Sequence, residues 1–280
     1  MRPCLPGQAS SSSRSTLSLL MIAPVTPPTA IFLVILLFLW YRRWRRIEVD
    51  PRPRTVLITG AASGIGRALA EELVLTHGDS IIALDRDKRA LNSLQSWALQ
   101  NQHDITCIEC DVGDAASLAR AVKHLDAMMS GVRVHAIVNL AGIYGCGPMM
   151  EERTLDKVER VLRTNVVGTC RATQAFHHLL PTSSSSPADD GRILLVGSEM
   201  AERGIATGLT APYTMCKWAL ESYGVSLRQE LQMVEEPMPV HVCMVSPGAI
   251  KTCARWSRSV DLWGTAHLAA LLAALARLPC

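Results

Sequence analysis

The sequence predicts an α/β fold, a doubly wound parallel sheet with helices on both faces. Three observations carry that prediction. A β-branched run, Thr55 to Thr59, leads straight into Gly60-Ala61-Ala62-Ser63-Gly64-Ile65-Gly66 and then an amphipathic stretch, Arg67 to Thr76. Further short apolar runs recur at 80–84, 105–110, 134–138, 191–197 and 239–245, and helix-forming stretches separate several of them. The first run, Thr55 to Thr59, lacks useful polar alternation, as strands covered on both faces do.

A chain of 280 residues with 49% apolar content can bury one large core. Its net charge of +3 is unevenly spread. Residues 1–53 hold seven arginines against Glu48 and Asp50, so that segment carries +5 and the remainder −2. Nothing in the globular part suggests a nucleic-acid face. Cys107 and Cys110 form a C-x-x-C with no second pair at zinc-finger spacing, so buried thiols are favoured over a metal site. Free buried cysteine suits a reducing compartment.

Residues 1–28 are rich in Ser and Pro and form a candidate disordered segment. Ala30 to Tyr41 is continuously apolar. At 1.5 Å per residue it spans only about 18 Å of a roughly 30 Å hydrocarbon core, unless the mixed stretch from Leu17 is included. Three readings compete. A signal peptide places its basic residues before the apolar run, whereas Arg42, Arg43, Arg45 and Arg46 follow it. A mitochondrial presequence fits the Arg/Ser bias but is amphipathic rather than uniformly apolar. A single-pass membrane anchor over 29–46 accounts for the run, its Trp40-Tyr41 end and the arginines together. It would leave the large domain on the cytoplasmic side, with the endoplasmic reticulum favoured over a mitochondrial membrane.

The glycines at 60, 64 and 66 let the backbone turn sharply and approach a pyrophosphate, and the following helix start supplies free N–H groups. A structural turn could use the same glycines; the correct flanks favour nucleotide binding. The second strand ends at Asp85, placed to accept the adenosine-ribose hydroxyls and to repel a 2′-phosphate. Arg86 partly offsets that, so NAD is favoured over NADP. The third strand ends at Asp111-Val112, ahead of a helix starting near Asp114 that Asp111 could simply cap. The fourth leads into Asn139-Leu140-Ala141-Gly142. Thr154 to Leu180 has helical spacing, and Pro181 to Asp190 reads as a surface loop. Ser198 stands at the C-terminal end of the fifth strand, the edge where open parallel sheets bind ligands.

Tyr213 and Lys217 lie four residues apart on a helix and so share a face. A phenol ionises near pH 10, and an ammonium beside it favours the phenolate. Bringing it from about 10 to about 7 takes roughly 4 kcal/mol of differential interaction. The pair alone occurs by chance on many solvated helices; its place downstream of the glycine turn gives it weight.

Thr59-Gly60-x-x-x-Gly64-x-Gly66 with the later Tyr213-x-x-x-Lys217 resembles the short-chain dehydrogenase/reductase family over 54–252. The resemblance implies a Rossmann-like sheet of order 3-2-1-4-5-6. It also implies a dinucleotide held by Gly60, Ser63, Gly64, Ile65, Gly66, Asp85 and the Asp111-Val112 pair beside the adenine. Asn139, Ala141 and Gly142 match the station lining the cofactor cleft, with Leu140 a mild variation. Asn165 matches the family's helical Asn, which supports a water-linked proton relay to the lysine. Pro247, Gly248, Ile250 and Thr252 match the Pro-Gly-x-x-x-Thr station beside the nicotinamide. Catalysis by Asn165, Ser198, Tyr213 and Lys217 follows, with Tyr213 as general acid/base, Ser198 on the carbonyl and Lys217 also on the nicotinamide ribose. No metal is implied.

Residues 253–280 depart from the family. They are short, rich in Ala and Leu, and without a strand-like run, so a seventh strand is expected to be missing. A covering helix, a membrane-dipping helix and a truncated end that leaves the substrate pocket incomplete stay open. Two functions follow as expectations. One is a membrane-anchored oxidoreductase of lipophilic secondary alcohols and ketones (steroid, retinoid or similar lipid), for which the resemblance implies a homo-dimer or tetramer. The other is a catalytically impaired relative serving as a membrane-tethered nucleotide-binding or assembly module.

Overall fold

The β-branched runs form six parallel strands in one sheet. The computed structural model describes residues 52–248, apart from 129–130, 132, 184–188, 203, 205–206 and 234–237, together with Leu272. The proposed anchor, most of the 253–280 tail, Ile250 and Thr252 lie outside the described residues. The elements are β1 (Thr55–Thr59), α1 (Gly64–His77), β2 (Ser80–Asp85), α2 (Lys88–Gln100), β3 (Ile105–Glu109), α3 (Ala115–Met128) and β4 (Ala136–Asn139). There follow α4 (Glu152–Leu162), a π turn (Arg163–Val167), α5 (Gly168–Phe176), a 3-10 turn (His177–Leu179), β5 (Gly191–Val196), a short α6 (Glu199–Glu202), α7 (Ala211–Met233) and β6 (Val240–Val245).

Strand order is β3-β2-β1-β4-β5-β6, the order expected for a doubly wound sheet. Registers run in step, with Leu57 opposite both Ile82 and Ile137. Successive side chains point to opposite faces, which gives two cores. Val56, Ile58, Ala83, Val138 and Leu194 face α1 and α2 through Leu69, Leu73, Leu91 and Leu94. Leu57, Ile82, Ile137, Ile193 and Leu195 face Leu118, Leu125 and Phe176 on the other side. Leu272 is helical, fully buried and joins the first of these cores.

The structure corrects the sequence in one place that matters for the site. The helical stretch expected over 154–180 runs from Glu152 to Leu179, but its winding changes along the way. Its middle is a π turn, in which the Gly168 N–H reaches back five residues to the Arg163 carbonyl. Asn165 lies inside that turn. The C-x-x-C pair follows expectation: Cys110 is buried, Cys107 is half-buried, and burial pushes both thiols up to about 11. Among the described residues no group of three metal-ligating side chains occurs, and no helix is long and apolar enough to cross a membrane.

Candidate active site

The site is built at the C-terminal ends of β1, β4, β5 and β6. Gly60 leaves β1 at φ +70°, a conformation that favours glycine, and its N–H donates to the Leu84 carbonyl at 2.7 Å. Helix α1 then begins with no side-chain cap from Ser63 and no acid in its first turn. Its first N–H groups are left for an outside acceptor, which fits a pyrophosphate. Asp85 stands beside this turn, its Oδ2 accepting from the Ala62 N–H at 3.0 Å and its Oδ1 from the Asp87 N–H at 3.0 Å. Each oxygen keeps a second lone pair for a ribose hydroxyl.

The next wall comes from β3 and β4. The Asp111 carboxylate accepts from the Gly113 N–H at 2.8 Å, closing its own turn, while Asp114 serves the start of α3 through the Ala116 N–H. Val112 is buried against Gly168, where a Cβ would come within 2.8 Å of it. Thr59 Oγ1 accepts from the N–H groups of Leu140 and Ala141 at 3.2 Å each, which joins the glycine turn to the Asn139–Gly142 station. Asn139 itself is buried and donates to Thr173 Oγ1 at 3.2 Å.

The Asn165 side chain is engaged by the backbone of the loop after β4. Its Oδ1 accepts from the Ile143 N–H at 2.8 Å and its Nδ2 donates to the Ile143 carbonyl at 2.9 Å. The amide therefore clamps the loop after β4. That loop carries Tyr144, which sequence reasoning missed, and its ring packs on the Tyr213 ring with centroids 5.2 Å apart. The only available signal was an aromatic two residues beyond Gly142, in a stretch with no helical or strand period.

Tyr213 and Lys217 share one face of α7, with the amine 5.6 Å from the phenol ring centroid. Thr210 starts the helix, its carbonyl accepting from the N–H groups of Tyr213 and Thr214. The Lys217 amine donates to the Val196 carbonyl at 2.6 Å, at the end of β5. Burial lowers the Lys217 pKa from 10.5 to about 8, against the opposing pull of Cys216 and Glu221. Burial raises the Tyr213 phenol above its ordinary value, and a hydrogen bond with Ser198 pulls it down. Burial is the largest influence on the phenol, and the Lys217 amine beside it is held by the Val196 carbonyl. Ser198 is buried, accepts from the Met200 N–H at 3.3 Å and completes a contiguous group with Tyr213 and Lys217. Pro247 and Gly248 border the same place, since the Glu199 N–H donates to the Pro247 carbonyl at 3.1 Å and the Glu199 carboxyl lies over Gly248.

The lowered Lys217 pKa has a consequence for stability. Between about 8 and 10.5 the unfolded chain holds more protons on this amine than the folded one, so its contribution rises with pH through that window. Denaturant midpoints at pH 7.5 and 10 test this. The stability of wild type relative to Lys217→Met is expected to increase between the two; a constant difference would contradict it.

The family profile described as short chain dehydrogenase matches residues 54–262. An uncharacterized oxidoreductase, YxnA, of Bacillus subtilis is 30% identical over 203 residues, covering 72% of this chain and 53% of that protein. The NADPH-dependent pterin aldehyde reductase of Arabidopsis thaliana is 33% identical over 199 residues, covering 71% and 76%. The 3beta-hydroxysteroid dehydrogenase dhs-16 of Caenorhabditis elegans is 30% identical over 210 residues, covering 73% and 50%. The chain thus spans about half the length of the first and third of these. A short-chain dehydrogenase/reductase structure from Serratia marcescens superposes with a TM-score of 0.69 at 23% identity, covering 81% of this chain and 91% of that one, a likeness of fold.

Proposed function

Because the chain belongs to the short chain dehydrogenase family, we propose that it is a nicotinamide-dependent oxidoreductase interconverting a lipophilic secondary alcohol and its ketone. One observation carries this reading: Tyr213 and Lys217 share a face of α7 beside Ser198 at the end of β5, with the amine 5.6 Å from the phenol ring centroid and bonded to the Val196 carbonyl. A dinucleotide held at the glycine turn would supply or accept the hydride. The protein handles the proton. Tyr213 gives it to the carbonyl oxygen in reduction, and Ser198 orients that oxygen by donating a hydrogen bond. Lys217, largely charged below pH 8, favours the phenolate left behind.

NAD is the proposed cofactor, from the position of the Asp85 carboxylate against the glycine turn. The Arabidopsis relative's NADPH dependence and the neighbouring Arg86 mark NADP as the competitor. Asp85→Asn is expected to reduce the ratio of NAD to NADP affinity by about tenfold or more, because it removes the charge facing a 2′-phosphate. Titration of both nucleotides checks this, and an unchanged ratio would assign the preference elsewhere. The steroid named for the Caenorhabditis relative supports a lipid-like substrate. So does the apolar run at 30–41, read as an anchor in the endoplasmic reticulum membrane with the site facing the cytoplasm. The direct test is full-length protein with NADH and NADPH against a panel of steroid, retinoid and pterin carbonyls. Nucleotide binding without turnover of any of them would reduce the protein to a binding module.

A further inference from the structure

Glu221 lies one turn beyond Lys217 on α7 and belongs to none of the stations described above. Its Oε1 accepts from the Ser246 hydroxyl at 2.8 Å. The same oxygen occupies the space beside Gly197, where a Cβ would stand only 2.4 Å from it. Glycine at the exit of β5 therefore admits the carboxylate into the junction between α7, β5 and β6. From this geometry we propose that Glu221 is a positioning residue, fixing the Ser246–Gly248 turn to the helix that carries Tyr213 and Lys217.

The proposal rests on the function proposed above and on the family resemblance that sets Pro247 and Gly248 beside the nicotinamide. Two effects follow from one side chain. The hydrogen bond sets where the turn after β6 stands relative to the catalytic helix. The charge acts on Lys217, whose own helix brings Tyr213, Cys216 and Glu221 to it and β5 the Val196 carbonyl. Burial holds the Cys216 thiol up to about 11, so it is uncharged at neutral pH. Asn165, from the π turn packed against α7, is uncharged, and Tyr144 keeps its proton. The acids near this junction are Glu221 and, from the short helix packed on α7, Glu199, whose carboxyl lies over Gly248; of the two, Glu221 favours the charged amine.

Three variants separate the two effects: Glu221→Ala, Glu221→Gln and Ser246→Ala. Nucleotide dissociation constants, thermal midpoints and pH–rate profiles are measured for each. Glu221→Ala and Ser246→Ala are expected to weaken dinucleotide binding by about fivefold, the loss of one hydrogen bond. Glu221→Gln retains an acceptor oxygen and is expected to bind within about twofold of wild type, yet its alkaline limb moves to lower pH because the amine loses its counter-charge. Equal binding by wild type, Glu221→Ala and Ser246→Ala would overturn the proposal, as would an unmoved alkaline limb in Glu221→Gln. Should Glu221→Ala fail to fold, Ser246→Ala and Glu221→Gln decide it. A wild type that binds nucleotide but turns over no carbonyl defeats the proposed function instead; the binding constants still judge the positioning role.

Discussion

Replacing Tyr213 with Phe is expected to lower kcat by about 10²- to 10⁴-fold, the range for loss of a general acid, while nucleotide affinity changes by less than about twofold. The phenyl ring keeps its packing against Tyr144 and beneath the Lys217 amine, so only the hydroxyl is lost. With that hydroxyl goes the proton source and the partner of Ser198. Single-turnover measurement at saturating nucleotide separates chemistry from binding. Turnover at the wild-type rate would remove Tyr213 from the reaction altogether.

The second large effect is structural. Gly66→Ala is expected to cost about 3 kcal/mol or more of stability, at the severe end for forcing volume into a packed site. A Cβ there would stand 2.1 Å from the Gly60 carbonyl oxygen and 2.8 Å from its carbon. Both are backbone atoms, and Gly60 cannot retreat, because its own Cβ position is already 2.8 Å from Ala141. Gly78→Ala is the matched comparison. It has φ +67° but open space around it, so it bears only the left-handed penalty of about 1–2 kcal/mol. Urea denaturation of the two side by side would refute the argument if Gly66→Ala proved no worse.

Much of the fold could be read from the chain because its signals are local. Six short apolar runs, a glycine turn between the first strand and helix, and an acid at the end of β2 point to a parallel sheet, and its order followed from the family resemblance. Tyr213 and Lys217 were legible through helical spacing. Less legible were the side chains whose roles depend on distant backbone. The Asn165 amide is explained by Ile143, twenty-two residues away, and the Glu221 carboxylate by Ser246 and Gly197. Sequence spacing reveals a neighbouring ammonium, whereas the burial of the phenol and the Val196 carbonyl that engages the amine exist only in the folded chain.

The π turn between α4 and α5 makes the count of residues as consequential as their identity. One residue more per turn rotates everything downstream by roughly 100° relative to an uninterrupted α-helix. Phe176 and Ala172 reach the core, and Asn165 reaches the loop after β4, within that altered phase. Excising a single residue from 163–167 would yield a more regular helix and a poorer protein, since either the inward face or the clamp would be turned away. Insertions and deletions here are therefore constrained more tightly than substitutions.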